Sequence, residues 1–156
     1  MKKPIFLSTR WIWCQALLSS LLGLSLWGAG SALAAEDLPM KIHLDVDGQS
    51  VTATLDDSAA ARDFATLLPL SLTLEDYAVI ERIAYLPRKL VTTGAPAGVK
   101  PEAGDINYYA PWGNLAIFVG GKSYDRGLVR LGRVDTGLEA LQRPGPLKVR
   151  IERITD

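Results

Sequence analysis

Between Met40 and Leu55 the sequence alternates apolar and polar residues in two runs separated by a single Asp47-Gly48 pair. Ile42, Leu44 and Val46 share one face of the first run, and Lys41, His43 and Asp45 the other; Val51, Ala53 and Leu55 resume the pattern in the second. A period of two is the signature of a half-buried strand, and Asp-Gly supplies the two positive φ angles of a tight hairpin turn. A lone two-stranded hairpin is marginal in water, so the chain must provide further strands to cover its apolar face and both of its edges.

The rest of the chain offers them. Asp56, Asp57 and Ser58 are N-cap candidates for a helix whose apolar face is Ala61, Phe64, Ala65 and Leu68, with Pro69 as its stop. Leu70–Leu74 reads as a strand or an extended connection. Glu81–Leu90 reads as a strand carrying Arg82, Ala84 and Leu86 on one face and Ile83, Tyr85 and Pro87 on the other, its far end demoted by the proline. Further strands are predicted over Asp105–Tyr109, Leu115–Val119, Leu128–Val134 and Lys148–Ile154, with a turn at Pro111-Trp112-Gly113-Asn114 and a short helix over Thr136–Leu141. Thr92–Gly104 has no apolar period and reads as a loop, long enough to be functional or mobile. About eight short strands and two short helices predict a mainly β fold, a closed antiparallel barrel in which closure removes the sheet edges. No internal repeat or second globular domain is visible.

Ahead of this domain stands a segment of different composition. Lys2, Lys3 and Arg10 precede an uncharged run, Trp11–Ala35, that ends in Ser31-Ala32-Leu33-Ala34-Ala35. A basic start, an apolar core and a small-residue A-x-A end are the layout of a secretory signal peptide, predicted here as residues 1–34 with cleavage after Ala34 or Ala35. The alternative is an uncleaved anchor. Without an Arg-Arg pair the Sec route is expected, and the leader looks bacterial, which points to the periplasm or the medium. Removal of residues 1–34 takes away the only Cys and three of the four Trp, and leaves 14 basic against 17 acidic residues. The mature domain is then thiol-free and mildly acidic, with Trp112 its only tryptophan. Such a balance excludes a basic field for nucleic acid, and after cleavage no stable membrane association is expected.

The order strand, hairpin, strand, amphipathic helix and strand leads to Gly127-Leu-Val-Arg-Leu-Gly-Arg-Val134, then Thr136-Gly-Leu-Glu-Ala-Leu141 and a closing strand. That order is similar to cyclophilin. The closer resemblance is to the bacterial cyclophilin-like proteins, carried by Leu68-Pro-Leu70, Leu74-Glu-Asp-Tyr77, Leu131-Gly-Arg-Val134 and, most specifically, Gly104-Asp-Ile-Asn-Tyr-Tyr-Ala-Pro-Trp-Gly-Asn-Leu-Ala-Ile-Phe118. It covers about residues 40–154. Cyclophilins are peptidyl-prolyl isomerases that hold an arginine in a pocket on one barrel face, and the resemblance lays Arg82 on that position. The aromatic and glutamine-bearing continuation of the cyclophilin pattern is absent, and its histidine falls on Leu128. The resemblance, without those isomerase groups, implies a domain that binds a small molecule or a proline-containing peptide segment; with Arg82 from the resemblance, and Tyr109, Trp112, Asn114 and Phe118 from the aromatic turn and the strand after it, the candidate ligand-binding residues are five. The alternatives are a prolyl isomerase using Arg82, and an interaction module with no open pocket.

Other chemistries find no support in the residues. His43 has no partner at metal-ligand spacing, so no metal and no cofactor are expected. Gly120-Gly-Lys-Ser123 lacks the earlier glycine of a phosphate loop, since Ala116 stands there. No nucleophile elbow is present. Asp56-Asp57 and Glu75-Asp76 read as cap and turn residues. Arg62, Arg82, Arg126, Arg130 and Arg133 could form an anion pocket, although arginines on a barrel are usually solvated.

Overall fold

A computed structural model describes residues 39–155 of the chain; the predicted signal peptide lies outside the described residues. The first hairpin forms as expected from β1 (Lys41–Val46) and β2 (Gln49–Leu55), and its two turn residues, Asp47 and Gly48, have φ of 48° and 82°. Helix α1 (Ala59–Ala65) follows. Of its three cap candidates Ser58 takes the role, its Oγ accepting from the Ala61 N–H at 3.1 Å, while Asp57 pairs with Arg62. The helix stops before Leu68 because the Thr66 and Leu67 N–H groups turn back to the Asp63 and Phe64 carbonyls in a tightened last turn.

Strand β3 (Leu70–Tyr77) runs through Glu75 and Asp76, which the sequence presents as turn residues. Next come β4 (Glu81–Tyr85), β5 (Gly98–Val99), β6 (Asp105–Tyr109), β7 (Asn114–Phe118), β8 (Asp125–Arg126), β9 (Leu128–Thr136), α2 (Leu138–Leu141) and β10 (Leu147–Arg153). Eight strands close into an antiparallel barrel in the order β1-β10-β3-β4-β7-β6-β9-β2. β5 and β8 pair separately, so part of the expected Thr92–Gly104 loop is a short strand. Two residues were too few to show a period.

Alternate residues fill the barrel: Ile42, Leu44, Val51, Leu74, Ile106, Tyr108, Leu115, Ile117, Leu131 and Ile151 are all fully or almost fully buried in one cluster. Phe64 of α1 and Leu141 of α2 join it, each such side chain contributing roughly 1.5–3 kcal/mol by leaving water. Two polar clasps hold the helices in place. Asp63 receives both guanidinium nitrogens of Arg88, at 2.8 and 2.7 Å, and the Val91 N–H at 2.7 Å, which pins the segment after β4 to α1. Arg82 donates to the carbonyls of Leu141 at 2.7 Å and Arg143 at 3.0 Å, and pairs with Asp76, whose second oxygen accepts from the Gly145 N–H at 2.8 Å. A guanidinium at the carbonyl end of a helix meets the negative end of its dipole.

Candidate functional site

Strands β4, β7 and β6 turn one set of residues inward and the opposite set outward. The ladder pairs Arg82 with Ile117 and Ile106 with Ile117, and these face the core. Glu81 is paired with Phe118, Ile83 with Ala116, and Tyr109 with Asn114, so these residues occupy the outer face. That face is not bare. Ala116, Phe118 and Leu128 form a second buried cluster with Ile83, Tyr109 and Val99 of β5, so the β5–β8 pair acts as a partial cover over the barrel wall.

A groove of about 80 Å³ opens in this region. Tyr77, Tyr109 and Trp112 are its aromatic lining, Ile83 and Leu128 its apolar lining, and Glu81, Asn114, Lys122 and Asp125 its polar lining, with Asn114 four residues along β7 from Phe118, the ladder partner of Glu81. Trp112 is perpendicular to Tyr77, with ring centroids 5.6 Å apart, and to Tyr109, at 5.4 Å. It is nevertheless 47% exposed. Gly127 makes the Trp112 turn possible: its φ is +89°, and a Cβ there would stand 2.9 Å from the Pro111 ring.

The polar lining is unevenly satisfied. Lys122 Nζ lies 2.6 Å from Asp125 Oδ2 but 3.4 Å from Glu81 Oε1. Glu81 is only 6% exposed, and this burial raises its carboxyl pKa, an effect that the Lys122 charge partly offsets. Lys122 is shifted upward in turn, chiefly by its hydrogen bond to Asp125. Asn114, 2% exposed, donates from Nδ2 to the Leu115 carbonyl at 3.1 Å, which fixes the orientation of the amide; its Oδ1 is buried and meets no donor.

Two larger hollows lie elsewhere. One of about 530 Å³ is a shallow depression over β1, β10 and β3, lined by Asp45, Asp47, Thr73 and Arg150 among others. Another, of about 380 Å³, lies beside α1 with Asp57, Arg62 and Arg130 in its wall. Size does not make either the better candidate, because most of their charges are already paired, Asp47 with Arg143, Arg150 with Glu152, Arg62 with Asp57 and Arg130 with Asp56, and Asp45 accepts from the Gly48 N–H. Among the residues lining these three hollows, the buried polar atom without a partner is Asn114 Oδ1, at the small groove.

The structure therefore brings together three of the five residues proposed from sequence. Tyr109, Trp112 and Asn114 line the groove, Phe118 is buried in the cluster beside it, and Arg82 turns to the other side of the sheet. Arg82 is 3% exposed and engaged by α2 and Asp76, so it does not line the groove. The five arginines do not gather in one pocket: Arg62 and Arg130 share the hollow beside α1, paired with Asp57 and Asp56, Arg82 and Arg133 pair elsewhere with Asp76 and Asp105, and Arg126 is exposed on β8. His43 shares a hydrogen bond with Ser50 on the outside of the first hairpin. Among the described residues no cluster of three or more His, Cys, Asp or Glu could hold a metal ion, and no helix is long and apolar enough to cross a membrane.

Sequence reasoning missed Tyr77, Glu81, Lys122 and Asp125. Tyr77 and Glu81 flank the β3–β4 turn and are cross-strand partners, visible once that hairpin is recognised. Lys122 and Asp125 lie in the Gly120–Ser123 neighbourhood, where the failed phosphate-loop match drew attention away from their carboxylate–ammonium spacing.

A closed eight-stranded barrel with two short helices and a covered outer groove defines the class. A sequence profile described as the cyclophilin-like family matches residues 44–152, and the chain belongs to that family. No curated protein matches. Among solved structures, a hypothetical protein of Archaeoglobus fulgidus, determined in solution, is similar with a TM-score of 0.57 and 17% identity, over 78% of this chain and 100% of that one. At that identity the likeness is one of fold.

Proposed function

We propose that this chain is an exported binding protein that receives the end of one ligand group, from a small molecule or a peptide segment, in the outer-face groove. The observation that carries the reading is the buried, unpartnered Oδ1 of Asn114 in a groove walled by Trp112, Tyr109 and Tyr77. A buried acceptor without a donor costs about 1–3 kcal/mol, and a bound donor removes that penalty. A volume of about 80 Å³ suits a single small group, being well below the roughly 300–1,000 Å³ of pockets for drug-sized ligands. The aromatic wall supplies apolar contact, and the A-x-A leader supports export.

Prolyl isomerisation through Arg82 has less to recommend it. The guanidinium has four acceptors on the interior side, and freeing it would unclasp α2.

Backbone amide NMR of the protein with a panel of small fragments and short peptides tests the binding reading. Saturable shifts are expected around Trp112, Asn114 and Lys122, and they should vanish in Trp112→Ala while signals of β1 and α1 stay in place. Shifts that map to another face, or that survive unchanged in Trp112→Ala, would overturn it. Export is checked separately by sequencing the N-terminus of the protein recovered from its host, which should begin at Ala35 or Glu36.

A further inference from the structure

We infer that the group this groove receives is an alkylammonium, carried by a lysine side chain or a free amine; the inference rests on the binding reading above. The buried polar atom of the groove that lacks a partner is an acceptor. Asn114 gives one Nδ2 hydrogen to the Leu115 carbonyl, and its Oδ1 meets no donor. Glu81 is buried with a single protein contact to its carboxylate among the described residues, the 3.4 Å approach of Lys122, which is longer than a good charge-assisted hydrogen bond of about 2.7–2.9 Å. Lys122 is held instead by Asp125 at 2.6 Å. Two carboxylates against one ammonium leave this lining net negative. A ligand carboxylate or phosphate would meet like charge, whereas an ammonium brings donors to the unmet Oδ1 of Asn114 or to the weakly met carboxylate of Glu81.

The aromatic side points the same way. Three rings, Tyr77, Tyr109 and Trp112, stand within one small space, and the faces of tyrosine and tryptophan attract cations by their quadrupoles. An apolar stem fits the lining of Ile83 and Leu128. A hollow of about 80 Å³ suits a slim ammonium better than a bulkier cation.

Calorimetric titration of the full chain with capped Ala-Lys-Ala, the same peptide with norleucine or glutamate at the centre, and n-butylammonium chloride tests this. The lysine peptide is expected to bind about tenfold or more tighter than the norleucine peptide, and the glutamate peptide not to bind. Glu81→Gln and Trp112→Phe, which preserve shape, should each reduce that preference. Equal affinity for lysine and norleucine peptides, lost in Trp112→Ala, would overturn the cation inference and leave the groove reading standing. If no peptide or amine binds, the cation inference also fails, and the fragment panel above decides the groove reading independently. Butylammonium binding as tightly as the lysine peptide assigns the site to free amines; a clear advantage for the peptide assigns it to lysine side chains.

Discussion

Trp112 and Tyr77 stand perpendicular with their centroids 5.6 Å apart, although 35 positions separate them in the sequence. Their contact joins the end of β3 to the turn between β6 and β7, so the groove's aromatic side is built from two hairpins. Aromatic pairs of this geometry contribute about 0.5–1.5 kcal/mol beyond burial, and Trp112 makes a second one with Tyr109. Trp112→Ala should destabilise the protein by about 1–3 kcal/mol, and Trp112→Phe by less than half of that, in urea denaturation. A loss below about 0.5 kcal/mol for the alanine variant would mean that the two hairpins do not depend on the ring.

Arg82 is a clasp, and its removal should be read in stability. Arg82→Ala leaves the Leu141 and Arg143 carbonyls without their donor and Asp76 without its cation. Breaking a buried ion-pair network costs about 3–5 kcal/mol, and the value here should fall at the lower end because Asp76 is part-exposed. Measured on the fraction that remains folded, ligand affinity should match the wild type. A large loss of affinity with stability intact would place Arg82 in the site after all.

Asn107 presents the reverse case. Fully buried on the outer face of β6, it has neither Nδ2 nor Oδ1 bonded to protein. Asn107→Leu, which keeps the branched outline at a larger volume, should raise stability by about 1 kcal/mol by removing two unmet polar atoms. A destabilised variant would instead reveal a buried water serving the amide. Either result is read from the urea midpoint at unchanged slope.

The Asp63–Arg88 clasp sets an acid limit. Hydrogen bonds from Arg88 and then from the Val91 N–H lower the Asp63 pKa from 3.8 to about 2. The unfolded chain therefore takes up the proton first as pH falls, so the contribution is complete above about pH 5, declines between 3.8 and 2, and is gone below that. Solvent screening of this part-exposed pair limits it to on the order of 1 kcal/mol. Asp63→Asn should lower the melting temperature at pH 7 and lose that deficit by pH 2. A deficit that persisted at pH 2 would show that Asn disturbs the helix by some other route.

The β3–β4 turn carries backbone strain beside the groove. Ala78 and Val79 have φ of +48° and +68°, and a β-branched residue is poorly suited to that region. Val79 is also largely exposed, so packing does not hold it there. Val79→Gly should stabilise the protein by about 1 kcal/mol, visible as a higher melting temperature. A lower one would indicate that the valine has a partner in solution.

Much of the barrel was legible because its strands alternate. Ile42 to Val46, Val51 to Leu55 and Leu128 to Val134 announce themselves by period, and Asp47-Gly48 announces the turn that joins the first two. β5 and β8 did not, since two-residue strands have no period and exist only because Gly98 lets the backbone of Asp125 approach: a Cβ there would lie 2.3 Å from its carbonyl oxygen. The candidate site was half legible. Tyr109, Trp112 and Asn114 are close in sequence and advertise a turn, whereas Glu81 and Lys122 meet across 41 positions through the pairing of β4 with β7. For Arg82, strand alternation places it on the opposite face from Glu81. Which of the two faces opens to a ligand is decided by a cover that sequence periodicity does not reveal.

Closure of the barrel also dictates how anything can be held. All eight of its strands use both edges on one another, so the wall offers no free ladder on which an extended peptide could add itself as a ninth strand. Under the binding reading proposed above, a ligand at the barrel wall would be held through its side-chain or end groups instead of by strand pairing with the wall.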